Sequence, residues 1–130
     1  VALFPNNVIS KVKLGLVEAI LKEASAFAAS RGISFMVVIQ PSANDLTENM
    51  QPNYKELSRY PEYDRENLTK PLELILQRNG IKAANLFNTF LQNDPNNLFF
   101  LGDDNHWNDQ GQALSAKVVG KYIMNNSLLE

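Results

Sequence analysis

The sequence holds one histidine, His106, so any mechanism that needs an imidazole base must use it. Asp103 and Asp104 stand three and two residues before it, in Gly102-Asp103-Asp104-Asn105-His106-Trp107-Asn108. A carboxylate that close can accept a hydrogen bond from one ring nitrogen, set the tautomer and stabilise the imidazolium, while the other nitrogen takes a proton from a serine hydroxyl. The same residue types also suit an ordinary turn at a helix start, because Asp and Asn side chains bond to their own backbone. Spacing alone leaves the two readings open. A third reading gathers Asp103, Asp104, His106 and Asp109 into an oxygen-rich metal site. Nothing else in the chain supplies ligands at a matching spacing, so no metal and no cofactor is expected. The absence of cysteine removes thiol nucleophiles, disulfides and thiolate-bound zinc together.

A catalytic His106 needs elements that hold it at an edge where a substrate can arrive. From Asn7, a helix-capping residue, the apolar positions Ile9, Val12, Leu16, Ile20, Ala24 and Phe27 recur at helical spacing, and Arg31-Gly32 should close that helix. Phe35 to Ile39 is a short apolar run bounded by Gly32 and Pro41, the pattern of a parallel strand buried on both faces. Residues 42–60 read as a long surface loop. A second helix begins at Pro61 or Thr69 and ends at Asn79, with Leu72, Ile75 and Leu76 inward and Gly80 closing it; Pro71 marks either its first turn or a kink. Ile81 to Phe87 is expected as a second strand and Leu98 to Leu101 as a third. A last helix should run from Asn108 or Asp109 to about Met124, burying Ala113, Ala116, Val119 and Ile123 with Leu114, Val118 and Tyr122 beside them. Helices alternating with buried strands imply an α/β fold with a mainly parallel sheet covered on both sides. His106 then lies just past a strand end, where open parallel sheets place their ligands.

The segment from Gly102 to Gly111, Gly-Asp-Asp-Asn-His-Trp-Asn-Asp-Gln-Gly, followed by an Ala-containing helix, resembles the last motif of the SGNH or GDSL hydrolases. Its His-Trp-Asn-x-x-Gly form is similar to members acting on carbohydrate O-acetyl groups, including alginate O-acetylation proteins. A looser similarity runs upstream through Arg31-Gly32, the strand ending at Pro41, and Gly80-Ile81. The resemblance implies a three-layer α/β/α, flavodoxin-like domain and an Asp–His pair completing a triad with serine. Asp103 matches the family's Asp at three before His; Asp104 matches relatives with Asp-x-His-Trp, and stands as the alternative. Asn108 is expected as a helix cap and Gly111 as a close-packing position. Trp107 either lines the acyl or sugar pocket or packs as a rim aromatic.

The family's Gly-Asp-Ser nucleophile motif is not present, and its oxyanion donors are not plain. The expectation is therefore that residues 1–130 form a single domain that is the C-terminal portion of a larger SGNH-like one, with the serine upstream; a start on Val-Ala-Leu-Phe without Met agrees. Within the chain, Asn44 is the oxyanion candidate, because Asn44-Asp45 is similar to the family's Gly-x-Asn-Asp motif. Ser42 is the weaker nucleophile candidate, and a polar turn after a strand is the ordinary reading of both.

Two functions follow. One is ester hydrolysis or acyl transfer on a small-molecule or carbohydrate ester, with His106 as base. The other is a non-catalytic relative that binds carbohydrate through Tyr54, Tyr60 and Tyr63 near the loop. A net charge of -2 with scattered Lys and Arg makes nucleic acid an unexpected partner. No stretch approaches the roughly 18 apolar residues of a membrane span. The start lacks the basic residues of a secretion signal, while the resemblance implies an extracytoplasmic location.

Overall fold

The computed structural model describes residues 1–47, 57, 59–100 and 105–128. Asp103, Asp104 and Tyr54 lie outside them. Helix α1 (Val8–Ala29) starts where Asn7 accepts the amide of Ser10 at 2.7 Å. It ends before Gly32, whose φ of +66° is costly for residues with a Cβ. Strand β1 (Met36–Ile39) leads through Pro41 into the short helix α2 (Ala43–Leu46), so the expected loop begins as a helix. Helix α3 (Thr69–Arg78) has Pro71 in its first turn, where a missing N–H costs no helical bond. Thr69 is the first residue of this helix; Leu68 occupies the cap position without a side-chain bond. Gly80, also at φ +66°, turns the chain into β2 (Lys82–Asn85). Helix α4 (Phe87–Leu91), a 3-10 turn (Pro95–Asn97) and helix α5 (Asp109–Asn125) follow.

β1 and β2 pair in parallel, Met36 with Lys82 through Ile39 with Asn85, and Leu86 N–H extends the ladder to Ile39 O at 3.1 Å. The helix between them, α3, packs on both strands and on α1. Among the described residues the sheet has two strands. Leu98 to Leu101 does not supply a third: Phe99 forms an isolated antiparallel bridge with Trp107, and Leu101 lies outside the described residues. Leu98 and Phe99 are buried by side-chain packing rather than by a parallel neighbour, and Phe100 stays exposed. Burial of β1 is likewise incomplete, since Ile39 is enclosed while Val38 stays exposed.

Two apolar clusters divide the interior. Ile39, Leu76 and Ile81 form one, with Leu21, Phe35, Val37, Leu72 and Ala83 against it. The other lies just past the carboxyl ends of both strands, where Ala43, Leu46, Leu86, Phe87, Phe90, Leu98 and Phe99 pack under Trp107, Leu114, Val118 and Val119. Helix α5 is rotated from its expected orientation. Gly111 and Ser115 are buried, Leu114, Val118, Tyr122 and the expected Val119 and Ile123 partly so, and Ala113 and Ala116 face outward. The cause lies in the first turn of α5, where Gly111 sits against the carbonyl of Leu98.

Candidate functional site

The segment carrying His106 is held from both sides. Phe100 N–H donates to His106 O at 3.1 Å, and Asn108 N–H donates to Leu98 O at 3.1 Å, so the backbone on either side of the Phe99–Trp107 bridge is pinned. Asn108 then works in two directions. Its Oδ1 accepts from Gln110 and Gly111 amides at 3.0 and 3.1 Å, capping α5. Its Nδ2 donates to Asn97 O at 2.9 Å and Phe99 O at 3.0 Å, tying the cap to the incoming chain. The sequence shows the first of these roles; the second needs the tertiary fold, since a cap residue gives no sign of what its amide nitrogen reaches.

Gly111 sets the spacing. A Cβ there would lie 2.3 Å from Leu98 O and 3.1 Å from Trp107 Cβ, well inside van der Waals contact. Only glycine lets α5 start this close to the strand-like segment, and that closeness puts His106 where it is. The expected close-packing role thus has a partner, the Leu98 carbonyl.

His106 itself is exposed to solvent, while the residue after it turns inward. Trp107 stacks at a tilt on Phe90, with ring centroids 5.1 Å apart, and its indole N–H is enclosed without a hydrogen-bond partner among the described residues. A buried indole nitrogen without a partner is uncommon, because desolvation of an unpaired N–H costs roughly 1–3 kcal/mol. The tilted stack on Phe90 anchors the ring beside His106, at the rim of the second apolar cluster.

The α2 candidates sit on the same cluster. Ala43 and Leu46 of α2 belong to it with Phe99, and α2 packs on the 3-10 turn whose Asn97 carbonyl accepts from Asn108. Ser42 Oγ caps α2 by accepting Asn44 N–H at 3.3 Å. Asn44 Oδ1 is enclosed without a partner among the described residues. The fold thus gathers the Asn44 and His106 segments around one core at the carboxyl edge of the sheet.

Asp45 was legible only as half of an Asn-Asp pair, yet it is the most deeply placed carboxylate described. It is 5% exposed, and Tyr63 Oη donates to its Oδ1 at 2.7 Å. Burial pushes its carboxyl above the usual range; the Tyr63 hydrogen bond and the charge of Arg65 oppose that shift, and Asp64 adds to it. The signal in the sequence was the placing of Asp45 between Ala43 and Leu46, both buried. Tyr60 meets Phe4 edge to face at 5.3 Å. Tyr60 and Tyr63 are therefore engaged with the protein's own side chains, and Tyr54 lies outside the described residues.

Among the described residues no group of His, Asp and Glu side chains could hold a metal ion, and no helix is long and apolar enough to cross a membrane. Two of the carboxylates in the metal reading, Asp103 and Asp104, lie outside those residues.

A family model described as the SGNH hydrolase-like domain of acetyltransferase AlgX matches residues 6–130. Comparison with curated proteins and with solved structures returned no match.

Proposed function

We propose that this chain, which belongs to the SGNH hydrolase-like domain family of acetyltransferase AlgX, supplies the His and Asp side of a serine-dependent acyl-transfer site acting on a carbohydrate O-acyl ester. In this reading His106 is the general base. Asp103 orients its ring, with Asp104 the alternative. The serine Oγ attacks the acyl carbonyl as His106 takes its proton; the ester C–O bond breaks, and His106 returns the proton to the departing alcohol. Water or a sugar hydroxyl then attacks the acyl-enzyme by the same route and regenerates serine. Asn44 donates to the oxyanion, and Trp107 forms a wall of the acyl or sugar pocket.

The observation that carries the proposal is the clamp on His106. A surface-turn histidine needs no special support, whereas this one has a bonded backbone, an adjoining cap that bonds in both directions, and a packed tryptophan behind it. Catalytic groups need such support because small misplacements cost large factors in rate. The half-domain reading enters here as well: the nucleophile comes from outside residues 1–130, and the sheet of a three-layer domain is completed around β1 and β2. Ser42 is the lesser candidate, because its hydroxyl is occupied as a cap.

The test is labelling by a fluorophosphonate serine probe with peptide mapping, on residues 1–130 and on a longer product. Variants His106→Ala, Asp103→Asn and Asp104→Asn accompany both, and turnover of an acetylated sugar is measured alongside. A serine adduct and turnover that fall together by about a hundredfold or more in His106→Ala support the reading. Labelling and turnover unchanged in His106→Ala overturn it.

A further inference from the structure

Helix α1 packs through Ser10, Leu14, Leu21 and Ala28, and leaves its most apolar stripe in solvent. Ile9, Val12, Leu16, Ile20 and Phe27 are 65%, 65%, 61%, 57% and 60% exposed. This is the stripe that the sequence marks as the helix's apolar face, and no described element covers it. A contiguous exposed apolar patch on a helix over about 27 Å long marks an association surface.

The stripe is also close to palindromic. About the level of Glu18, Ile9 falls opposite Phe27, Val12 opposite Ala24, and Leu16 opposite Ile20. Two copies of α1 laid antiparallel across a two-fold axis at that level would set each residue against its counterpart, as a self-complementary interface requires. The charges follow the same symmetry. Lys13 and Glu23 stand at equal distances from the centre, and neither has an ion-pair or hydrogen-bond partner among the described residues. In the antiparallel arrangement, Lys13 of each copy comes level with Glu23 of the other, at both ends of the seam.

Glu23 decides between occupants. It sits within the apolar stripe, between Ile20 and Phe27, so an apolar strand or a bilayer laid on the stripe would bury its carboxylate without a cation. A second copy brings that cation. The stripe side chains expose on the order of 600 Å² per copy, most of the roughly 800 Å² per partner of a standard interface. We propose that α1 is the homodimerisation element of this chain, joined antiparallel through Ile9, Val12, Leu16, Ile20 and Phe27 with two Lys13–Glu23 pairs across the seam.

Sedimentation equilibrium over a concentration series, with far-ultraviolet circular dichroism as the folding control, tests this on residues 1–130 and on a longer product that carries upstream sequence. The wild-type chain should approach twice its 14.6 kDa mass as concentration rises. Leu16→Glu, at an exposed site, should hold it at the monomer mass with an unchanged spectrum. Lys13→Glu and Glu23→Lys should each weaken the dimer on the order of tenfold, and the double variant should restore it, because it exchanges the charges without changing their pairing. A wild-type chain that is monomeric at every concentration overturns the proposal, as does a dimer indifferent to Leu16→Glu, or a dimer of residues 1–130 that is lost in the longer product because upstream residues cover the stripe. A double variant weaker than both single ones refutes the antiparallel register.

Discussion

Replacing Gly111 with alanine tests the geometry on which the His106 segment rests. The new Cβ would lie 2.3 Å from the Leu98 carbonyl oxygen and 3.1 Å from Trp107 Cβ. The first distance falls roughly 1 Å short of a comfortable contact, and the atom it meets is backbone, which cannot rotate away. Relief requires α5 to back off from Leu98, which stretches the 3.1 Å bond from Asn108 N–H to the same carbonyl. Overpacking of this kind costs about 1–3 kcal/mol, and a weakened hydrogen bond adds about 0.5–1.5 kcal/mol. Alanine's better helix propensity returns up to about 1 kcal/mol. The net expectation is a loss of about 0.5–4.5 kcal/mol, or a Tm lower by roughly 2–17 °C for a chain of this size. Urea denaturation followed by fluorescence of Trp107, the sole tryptophan, reads the change beside the perturbed residue. Gly15→Ala and Gly120→Ala are the controls: both lie in helices with nothing within 4 Å of the added carbon, and should be neutral or more stable by up to about 1 kcal/mol. A Gly111→Ala protein as stable as these controls would refute the close approach of α5 to Leu98.

Asn108→Ala removes a cap and the two side-chain bonds to Asn97 and Phe99, and should cost about 2–3 kcal/mol by urea denaturation; Asn108→Asp keeps the acceptor and should fall between. Tyr122→Phe leaves Ala83 N–H without its 3.0 Å acceptor and should cost about 1–2 kcal/mol, visible as faster exchange of that amide. Asp45 has its carboxyl raised by burial, so its contribution to stability is fullest below the ordinary value of 3.8 and is lost as pH rises through the raised value. Asp45→Asn keeps an acceptor for Tyr63 and should therefore match the wild type in acid but exceed it in urea midpoint at neutral pH; a lead that does not change with pH would refute the assignment. Glu18 behaves oppositely. Arg78 bonds it through Nε at 2.8 Å and through Nη2, and with Asn79 at 2.7 Å holds its carboxyl down to about 2. Its contribution should be present above 4.5 and fade toward pH 2, so Glu18→Gln should be less stable at neutral pH and equal to the wild type near pH 2.

Local chemistry made much of this protein legible in its sequence. Asn7 and Asn108 cap because an amide oxygen one residue before a helix reaches the free amides of its first turn. Gly32 and Gly80 end helices because the left-handed conformation is cheap only without a Cβ. The run before Pro41 became a strand because β-branched Val37, Val38 and Ile39 suit a pleated backbone; the run after Gly80, Lys-Ala-Ala-Asn, joined it in parallel through pairing rather than through strand-forming residue types. The resemblance of the Gly102 to Gly111 segment to the SGNH hydrolases followed from residue types and their spacing, and the family match over residues 6–130 agrees with that family.

Tertiary structure decided what depends on distant partners. Leu98 to Phe100 reads as a strand by composition, yet its backbone meets the His106 segment, since hydrogen-bond partners are chosen by what the fold brings near rather than by apolar content. The face that α5 buries was set by the approach of Gly111 to Leu98, which periodicity cannot register because several faces of that helix carry small or apolar residues. Asp45 looked like a turn residue until α2 placed it beside Tyr63 and out of water. The same limit applies to α1. Its spacing shows an apolar stripe, but only the packing of its other face on the body of the protein shows that the stripe is left outside, because periodicity reports which residues share a face and not what that face meets.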